Sequence, residues 1–338
     1  MAGAFPLKRV FTRAHLSVLA LGVSLAIPLF LTNARHTLTR LETVPPGLVA
    51  LGLAMVALGW TFNAARLRLL CAHIGHRLPV ASALAMVVST EFAGASTPGG
   101  IGSALAYVFQ LHRRGVHSAQ AASLYAVDHL MDLAFFGSAF PLAVIGLVLD
   151  GRGARPLWVA LAALGPLAGG ALLIVVFMRA PPRGRRASAL MARWFRLSPE
   201  RRLRHARWWV SFRSTVRTTM AMPRARLALL YANCAGHWLL RYSILPLILA
   251  GLGHPLPWSY LFLMQGALLF AGQLSMLPGG AGGVELGFAA LLAGWTDRQT
   301  IALSLVLWRF ATFYWYLLLG GVVFATTMGR QRARADGI

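Results

Sequence analysis

Long apolar runs separated by short polar segments dominate the chain. They number six and cover residues 16–31, 44–65, 118–149, 157–177, 227–250 and 300–327. Each run is near or above the roughly 20 residues that a helix needs to cross about 30 Å of hydrocarbon. The pattern therefore predicts about six full transmembrane helices.

Two further apolar stretches are each interrupted by a cluster of proline and glycine. The stretch at 78–110 is broken at 96–102, and the stretch at 256–293 is broken at 277–283. Neither cluster can continue a helix, because proline lacks a backbone N–H group and glycine disfavours a helix interior. We therefore predict two re-entrant broken helices. Together with the six full spans they make an all-α polytopic membrane protein.

Composition supports this fold class. Of the 338 residues, 57% are apolar and 12% are charged, and soluble domains do not have this balance. The two cysteines, Cys71 and Cys234, lie in or beside apolar runs, so buried thiols are expected rather than a disulfide or a metal site. The sequence predicts no catalytic residue, metal or cofactor. The first run is expected to be a retained helix, because Thr32-Asn33-Ala34 makes a poor signal-peptide cleavage site.

Basic residues are concentrated in one segment. Of the 32 lysines and arginines, 14 lie at 179–226, where Glu200 is the only acid. A basic loop between membrane helices faces the cytoplasm, so the net charge of +23 indicates topology rather than nucleic-acid binding. Following the chain from this loop places both termini in the cytoplasm. The first broken segment then enters the membrane from the cytoplasm and the second from outside.

The basic loop also contains an apolar helical face. Ala206, Trp209, Phe212, Val216 and Met220 fall within an arc of about 120° at 100° per residue. This spacing predicts an amphipathic helix that lies on the anionic cytoplasmic leaflet.

An internal repeat relates the two broken segments. An offset of 180 residues joins Pro98 with Pro278, Gly99 with Gly279, Gly100 with Gly280, and Gly102 with Gly282. The same offset places Asp128-His129 on Trp308-Arg309. With the charge-based topology, this predicts an inverted repeat, made of residues 1–178 and 227–338 and joined by the loop at 179–226. Inverted repeats with broken helices are typical of transporters, which bind their substrates near the midplane.

The breaks are candidate binding sites for an anion. Each is followed by a short helix whose first N–H groups lack intrahelical partners and carry a partial positive charge. The predicted substrate-binding residues are Pro98, Gly99, Gly100, Gly102, Pro278, Gly279, Gly280, Gly282, Arg241 and Arg309. The arginines are included because guanidinium binds phosphate in a bidentate manner. The alternative is that the breaks are tight turns packed by other helices.

Acidic residues inside apolar runs are costly and usually face a partner or a cavity. The predicted proton or charge relay consists of Glu91, Asp128, His129, Asp132 and Glu285. Two alternatives stay open for these residues. Asp128 and Asp132 could instead form ion pairs with Arg241 or Arg309, and Glu285 could serve only to cap its half-helix. Arg66 and Arg68 are interpreted as residues that set the orientation of the chain in the membrane and contact lipid headgroups.

The chain resembles the flippase-like transmembrane domain of lysylphosphatidylglycerol synthases and its stand-alone relatives. The resemblance rests on residues 66–70, 98–102, 128–132 and 277–285 and on Arg309. It implies a bacterial inner-membrane protein that translocates a lipid or a lipid-linked headgroup. This chain has Asp128-His129 where the family usually has Glu-Arg, and no aminoacyl-transferase domain is expected after Arg334.

Three functions follow as hypotheses. The leading one is translocation of an anionic phospholipid or lipid-linked headgroup, with no covalent change to it. The others are an integral-membrane enzyme that modifies lipids and a non-transporting subunit of a lipid synthase. Anionic membrane lipids are thus the expected partners, while a homo-oligomer or a partner protein of lipid synthesis stays open.

Overall fold

The computed structural model describes residues 39, 41–150, 168, 199–274 and 277–335. Within these residues the regular structure is helical, and an isolated bridge between Pro98 and Pro278 is the one extended pairing. The predicted spans at 16–31 and 157–177 lie outside the described residues. The described part confirms an all-α polytopic membrane protein.

The first half of the described chain contains four helices. Helix α1 is Pro46–His73, α2 is Val80–Ala95, α3 is Ile101–His112 and α4 is Ser118–Leu149. Proline at the first position of α1 suits a helix start, because its missing N–H group would have no intrahelical partner there. The gap between α2 and α3 coincides with the first predicted break.

The second half repeats this order after a helix of the basic loop. That loop helix, α5, is Pro199–Met220. The helices that follow are α6 (Arg224–Gly251), α7 (Trp258–Leu274), α8 (Gly283–Leu292), α9 (Arg298–Arg309), a π-helical turn (Phe310–Tyr314) and α10 (Trp315–Ala335). A long helix, a broken pair and another long helix thus occur twice.

Three helical stretches among the described residues are long and apolar enough to cross a membrane. They are Pro46–His73, Ser118–Leu149 and Arg298–Thr327. The fourth predicted span in the described part, α6, has 28 residues but carries more polar side chains along its length. The helices flanking each break have between 10 and 17 residues, which is too short for a full crossing.

Glycines with left-handed backbone angles shape both breaks. Gly99 and Gly100 have φ of 59° and 68°, and Gly279 and Gly280 have φ of 63° and 69°. Side chains other than glycine rarely adopt these angles, so the same turn is built twice at the predicted offset. Because Pro98 bridges Pro278 in an antiparallel sense, the two breaks meet inside the fold.

The two halves exchange packing partners. Helix α1 packs against α6, its counterpart in the second half. Helix α2 packs against α10, and in return α7 packs against α4. Each broken pair also packs internally, α2 on α3 and α7 on α8.

The loop helix α5 corrects one prediction. It packs against α4, where Val216 is 3% exposed and the Ser123 hydroxyl donates to the Phe212 carbonyl at 2.9 Å. The second half of its apolar face is therefore covered by protein rather than by lipid. Trp209, nearer the start of α5, remains exposed.

Candidate functional site

A cavity of about 380 Å³ lies where the two breaks meet. Its wall contains Gly99 and Gly100 from the first break and Gly279 and Gly280 from the second. The other four predicted break residues, Pro98, Gly102, Pro278 and Gly282, do not line it. The structure thus brings the two predicted anion sites together in one space.

Both predicted substrate-binding arginines reach this cavity. Arg241 Nη1 donates to the Tyr316 hydroxyl at 2.8 Å and lies 3.8 Å from the Glu91 carboxylate. The second distance exceeds a hydrogen bond, so Arg241 and Glu91 form a loose pair. Both side chains are partly exposed to the cavity, where a ligand can compete for either.

Arg309 is held more tightly. It is 5% exposed, its Nε lies 2.8 Å from Glu285 Oε1, and its Nη1 donates to the Gly279 carbonyl at 3.1 Å. The rings of Trp308 and Phe313 lie beside the guanidinium. The Nη2 atom is buried without a hydrogen-bond partner in the described part of the chain. Arg309 therefore fixes the second break and keeps one donor available.

Glu285 combines capping with ion pairing. It is fully buried, and its Oε2 accepts the Gly282 N–H at 2.7 Å, which caps α8. It does not line the cavity. The alternative in which Asp128 or Asp132 pairs with Arg309 is wrong, because Arg309 pairs with the Glu285 carboxylate. Helix α8 packs on α9, which places the two side chains together.

Asp128 and Asp132 pair with Arg66. The Arg66 Nη2 atom lies 2.7 Å from Asp128 Oδ1 and 2.9 Å from Asp132 Oδ1. Arg66 is 2% exposed and also donates to Asn63. The alternative of pairing with Arg241 or Arg309 is therefore wrong, and Arg66 is buried rather than in contact with headgroups. Arg68 instead donates to the Leu78 carbonyl at 3.0 Å and fastens the turn after α1.

A second cavity of about 180 Å³ adjoins this cluster. Arg66, Asp128 and Tyr107 line it, while Glu91, His129 and Asp132 line both cavities. His129 is placed by a ring contact with Tyr125 at 4.1 Å. Four of the five predicted relay residues thus line one or both cavities. Glu285 borders neither and contacts the wall of the larger one through Arg309.

Two N–H groups near the start of each half-helix have partners within the described residues. At the first break, the Gly102 N–H donates to the Thr97 hydroxyl at 2.8 Å, and the Ser103 N–H donates to the Gly100 carbonyl. At the second, the N–H groups of Gly282 and Val284 are likewise bonded. These donors close the turns, so the arginines are the stronger candidates for contact with an anion.

The matches with known proteins agree with this arrangement. The family described as the lysylphosphatidylglycerol synthase TM region matches residues 17–320. The chain belongs to this family. The match to the lysylphosphatidylglycerol synthase TM region includes both breaks, Arg66 and Arg309, and therefore every element that builds the two cavities.

A relative from Archaeoglobus fulgidus is described as a UPF0104 membrane protein. It is 20% identical over 268 residues, which make up 78% of this chain and 81% of the relative. The similarity therefore extends over most of both chains. It supports a membrane protein of the lysylphosphatidylglycerol synthase TM family.

Sequence reasoning missed several residues of the site. Trp238, Tyr242 and Tyr316 line the larger cavity, and the Trp238 indole N–H donates to Asp132 Oδ1 at 2.8 Å. Gln265 also lines it and accepts from the Trp308 indole. Aromatic residues at these positions look like ordinary core in the sequence, and no signal there separates them from it. The buried free thiols of Cys71 and Cys234 were predicted and are confirmed.

Proposed function

We propose that this protein translocates an anionic phospholipid or a lipid-linked headgroup across the bacterial inner membrane, without changing it covalently. The observation that carries the proposal is the single cavity at the meeting point of the two breaks, with Arg241 and Arg309 in its wall. Guanidinium groups bind phosphate oxygens well, and a cavity with charged side chains in its wall lowers the cost of moving a headgroup through hydrocarbon.

The packing pattern supports alternating access. An inverted repeat predicts that each unit makes the same contacts with its partner, and the reciprocal contacts of α2 with α10 and of α7 with α4 have this form. In this proposal the two units rock about the fixed cavity. The cavity then opens to one leaflet at a time, and the lipid tails stay in the bilayer.

The proposed topology has its own test. Asp297 precedes α9, and Arg217 lies exposed on α5. In the inverted repeat these residues lie on opposite sides of the membrane, with Arg217 in the cytoplasm. We expect a thiol reagent that does not cross membranes to label Asp297→Cys from outside intact cells and Arg217→Cys only after lysis. The buried Cys71 and Cys234 give little background. Labelling of both from the same side contradicts the topology.

Transport is tested with purified protein in vesicles that contain fluorescently labelled phosphatidylglycerol. A reductant added outside bleaches only the outer leaflet, so translocation increases the bleached fraction with time. We expect the wild-type protein to accelerate this change and Arg241→Gln to slow it about tenfold or more, as loss of a charged contact costs roughly 1.5–3 kcal/mol.

The matched control is Arg217→Gln, which removes an exposed arginine that lines neither cavity and should leave the rate unchanged. Mass spectrometry of the recovered lipids separates the rival functions. A new lipid species supports an enzyme that modifies lipids. The rate of translocation is also compared in vesicles with and without the protein, for phosphatidylglycerol and for the lipids that copurify with the protein. Equal rates for all of these lipids would count against transport and favour a non-transporting subunit.

A further inference from the structure

The ionisable residues inside the helix bundle do not balance in charge. The described part of the bundle holds three groupings: Arg241 with Glu91, Arg309 with Glu285, and Arg66 with both Asp128 and Asp132. The first two are neutral pairs. In the third, one guanidinium faces two carboxylates, so a full negative charge is left over when both are ionised. Such a charge is costly in a protein interior surrounded by hydrocarbon, and binding one proton removes it.

The contacts of Asp132 leave room for that proton. Its Oδ1 atom accepts from Arg66 at 2.9 Å, from the Trp238 indole at 2.8 Å and from the Cys234 thiol at 3.3 Å. All three donors converge on one oxygen, and no bond to Oδ2 occurs within the described residues. An oxygen with this freedom can carry a hydrogen atom while the other keeps its three donors.

Two unsatisfied hydroxyls indicate that the cluster faces a space that holds water rather than packed side chains. Tyr107 is 5% exposed and lines the smaller cavity, yet its hydroxyl has no hydrogen-bond partner among the described residues. The Thr90 hydroxyl, also in that wall, is in the same condition. Buried polar groups are nearly always satisfied. The cavity of about 180 Å³, with Arg66, Asp128 and Asp132 in its wall, has room for several water molecules that can bond these hydroxyls.

We propose that Asp128 and Asp132, held by Arg66, form a site for one exchangeable proton that opens onto the headgroup cavity. Asp132 lines both cavities and connects them. On release, the O–H bond of the carboxylic acid breaks and the proton passes to water in the larger cavity, leaving two carboxylates on Arg66. If the proposed translocation occurs, the proton of this site is its coupling ion. Only this coupling rests on the proposed function; the proton site itself does not.

Among the described residues, the other titratable or charged groups around the pair come from five helices. They are Arg66 and Cys71 of α1, Glu91 of α2, Tyr107 of α3, Tyr125 and His129 of α4, and Cys234, His237 and Arg241 of α6. Glu91 already has Arg241 as its cation. His129 lines both cavities together with Asp132, so its imidazole is placed to pass the proton between them.

Infrared spectroscopy of the protein in vesicles tests the site without any substrate. A protonated carboxylic acid gives a C=O stretch distinct from that of a carboxylate. We expect one such band near neutral pH that disappears at higher pH and shifts in heavy water because the proton exchanges. Asp128→Asn and Asp132→Asn should each lose the band. Glu285→Gln, which changes a carboxylate paired one-to-one with Arg309, should keep it.

Isotope labelling of aspartate in the wild-type protein provides a test that needs no substitution, in case a variant fails to fold. The label should shift the band if an aspartate carries the proton. A missing band at every pH, a band unaffected by the label, or a band that survives both Asn substitutions would overturn the proposal. A band with all the expected properties in a protein that translocates no lipid would establish the proton site and reject the proposed function instead.

Discussion

The buried ion pair of Glu285 and Arg309 can be tested by a double-mutant cycle. Glu285 is fully buried, Arg309 is 5% exposed, and their side chains approach to 2.8 Å. Removing one partner of such a pair leaves an uncompensated buried charge, which costs about 3–5 kcal/mol. We therefore expect Glu285→Gln and Arg309→Gln each to reduce the free energy of unfolding by about that amount.

The double variant removes both charges together. It should lose less stability than the two single losses combined, with a coupling energy of about 1–3 kcal/mol, because neither charge is left alone. Glu285→Gln keeps an amide oxygen that can accept the Gly282 N–H, whereas Glu285→Ala also removes this cap. The alanine variant should therefore be less stable than the glutamine variant by about a further 1 kcal/mol.

Unfolding in mixed micelles with a rising fraction of denaturing detergent, followed by circular dichroism, measures all four free energies. Equal slopes of the transitions show that the variants unfold from comparable states. Additive losses, with a coupling energy below about 0.5 kcal/mol, would refute a direct ion pair between the two residues.

Two further predictions concern the turn at the second break and the start of α9. In Gly279→Ala the alanine must adopt φ of +63°, and its Cβ would overlap the Phe313 ring. In Gly75→Ala the alanine must adopt φ of +82°, but its Cβ meets nothing within 4 Å. Thermal unfolding should show that Gly75→Ala lowers the free energy of unfolding by about 1–2 kcal/mol through backbone strain, and that Gly279→Ala lowers it by about 1–3 kcal/mol more through overpacking. Equal losses in the two variants would contradict the close contact between Gly279 and the Phe313 ring. Asp297 caps α9 by accepting the N–H groups of Gln299 and Thr300 at 2.9 and 3.0 Å, so Asp297→Ala should cost about 1 kcal/mol at neutral pH. The hydrogen bond from the Thr300 hydroxyl holds the pKa of Asp297 below its ordinary value, so stability from the ionised cap is present above about pH 4 and is lost as the pH falls through the lowered pKa. Unfolding curves measured across this pH range should therefore show that the difference in free energy of unfolding between wild type and Asp297→Asn becomes smaller in acid. A difference that does not change with pH would exclude the charge effect.

Hydropathy and turn chemistry predicted most of the helical order. The span at 118–149 matches α4, and the breaks at 96–102 and 277–283 fall between the paired half-helices. These features could be predicted because membrane thickness sets helix length, and because proline and glycine clusters interrupt helices wherever they occur.

Ion-pair partners could not be predicted in the same way. Hydropathy gives the depth of a residue along a span but not the direction of its side chain around the helix. Glu285 and Arg309 are 24 residues apart on separate helices, and only the packing of α8 on α9 makes them neighbours. The same holds for Arg241, which reaches Glu91 across two elements of different halves.

Arg66 shows why an error in one helix end changes the whole site. The apolar run ends at residue 65, so the sequence predicts that Arg66 lies at the end of its helix, at the membrane surface. The helix continues to His73, eight residues further, and carries Arg66 into the bundle beside Asp128 and Asp132. At 1.5 Å per residue, the extra turns move its side chain about 10 Å from the helix end. Arg66 adds nothing to the hydropathy of the span, so hydropathy does not place it inside the bundle. Its positive charge allows Asp128 and Asp132, four residues apart, to share one face of α4. The polar residue that shortened the predicted helix is the residue that organises the centre of the site.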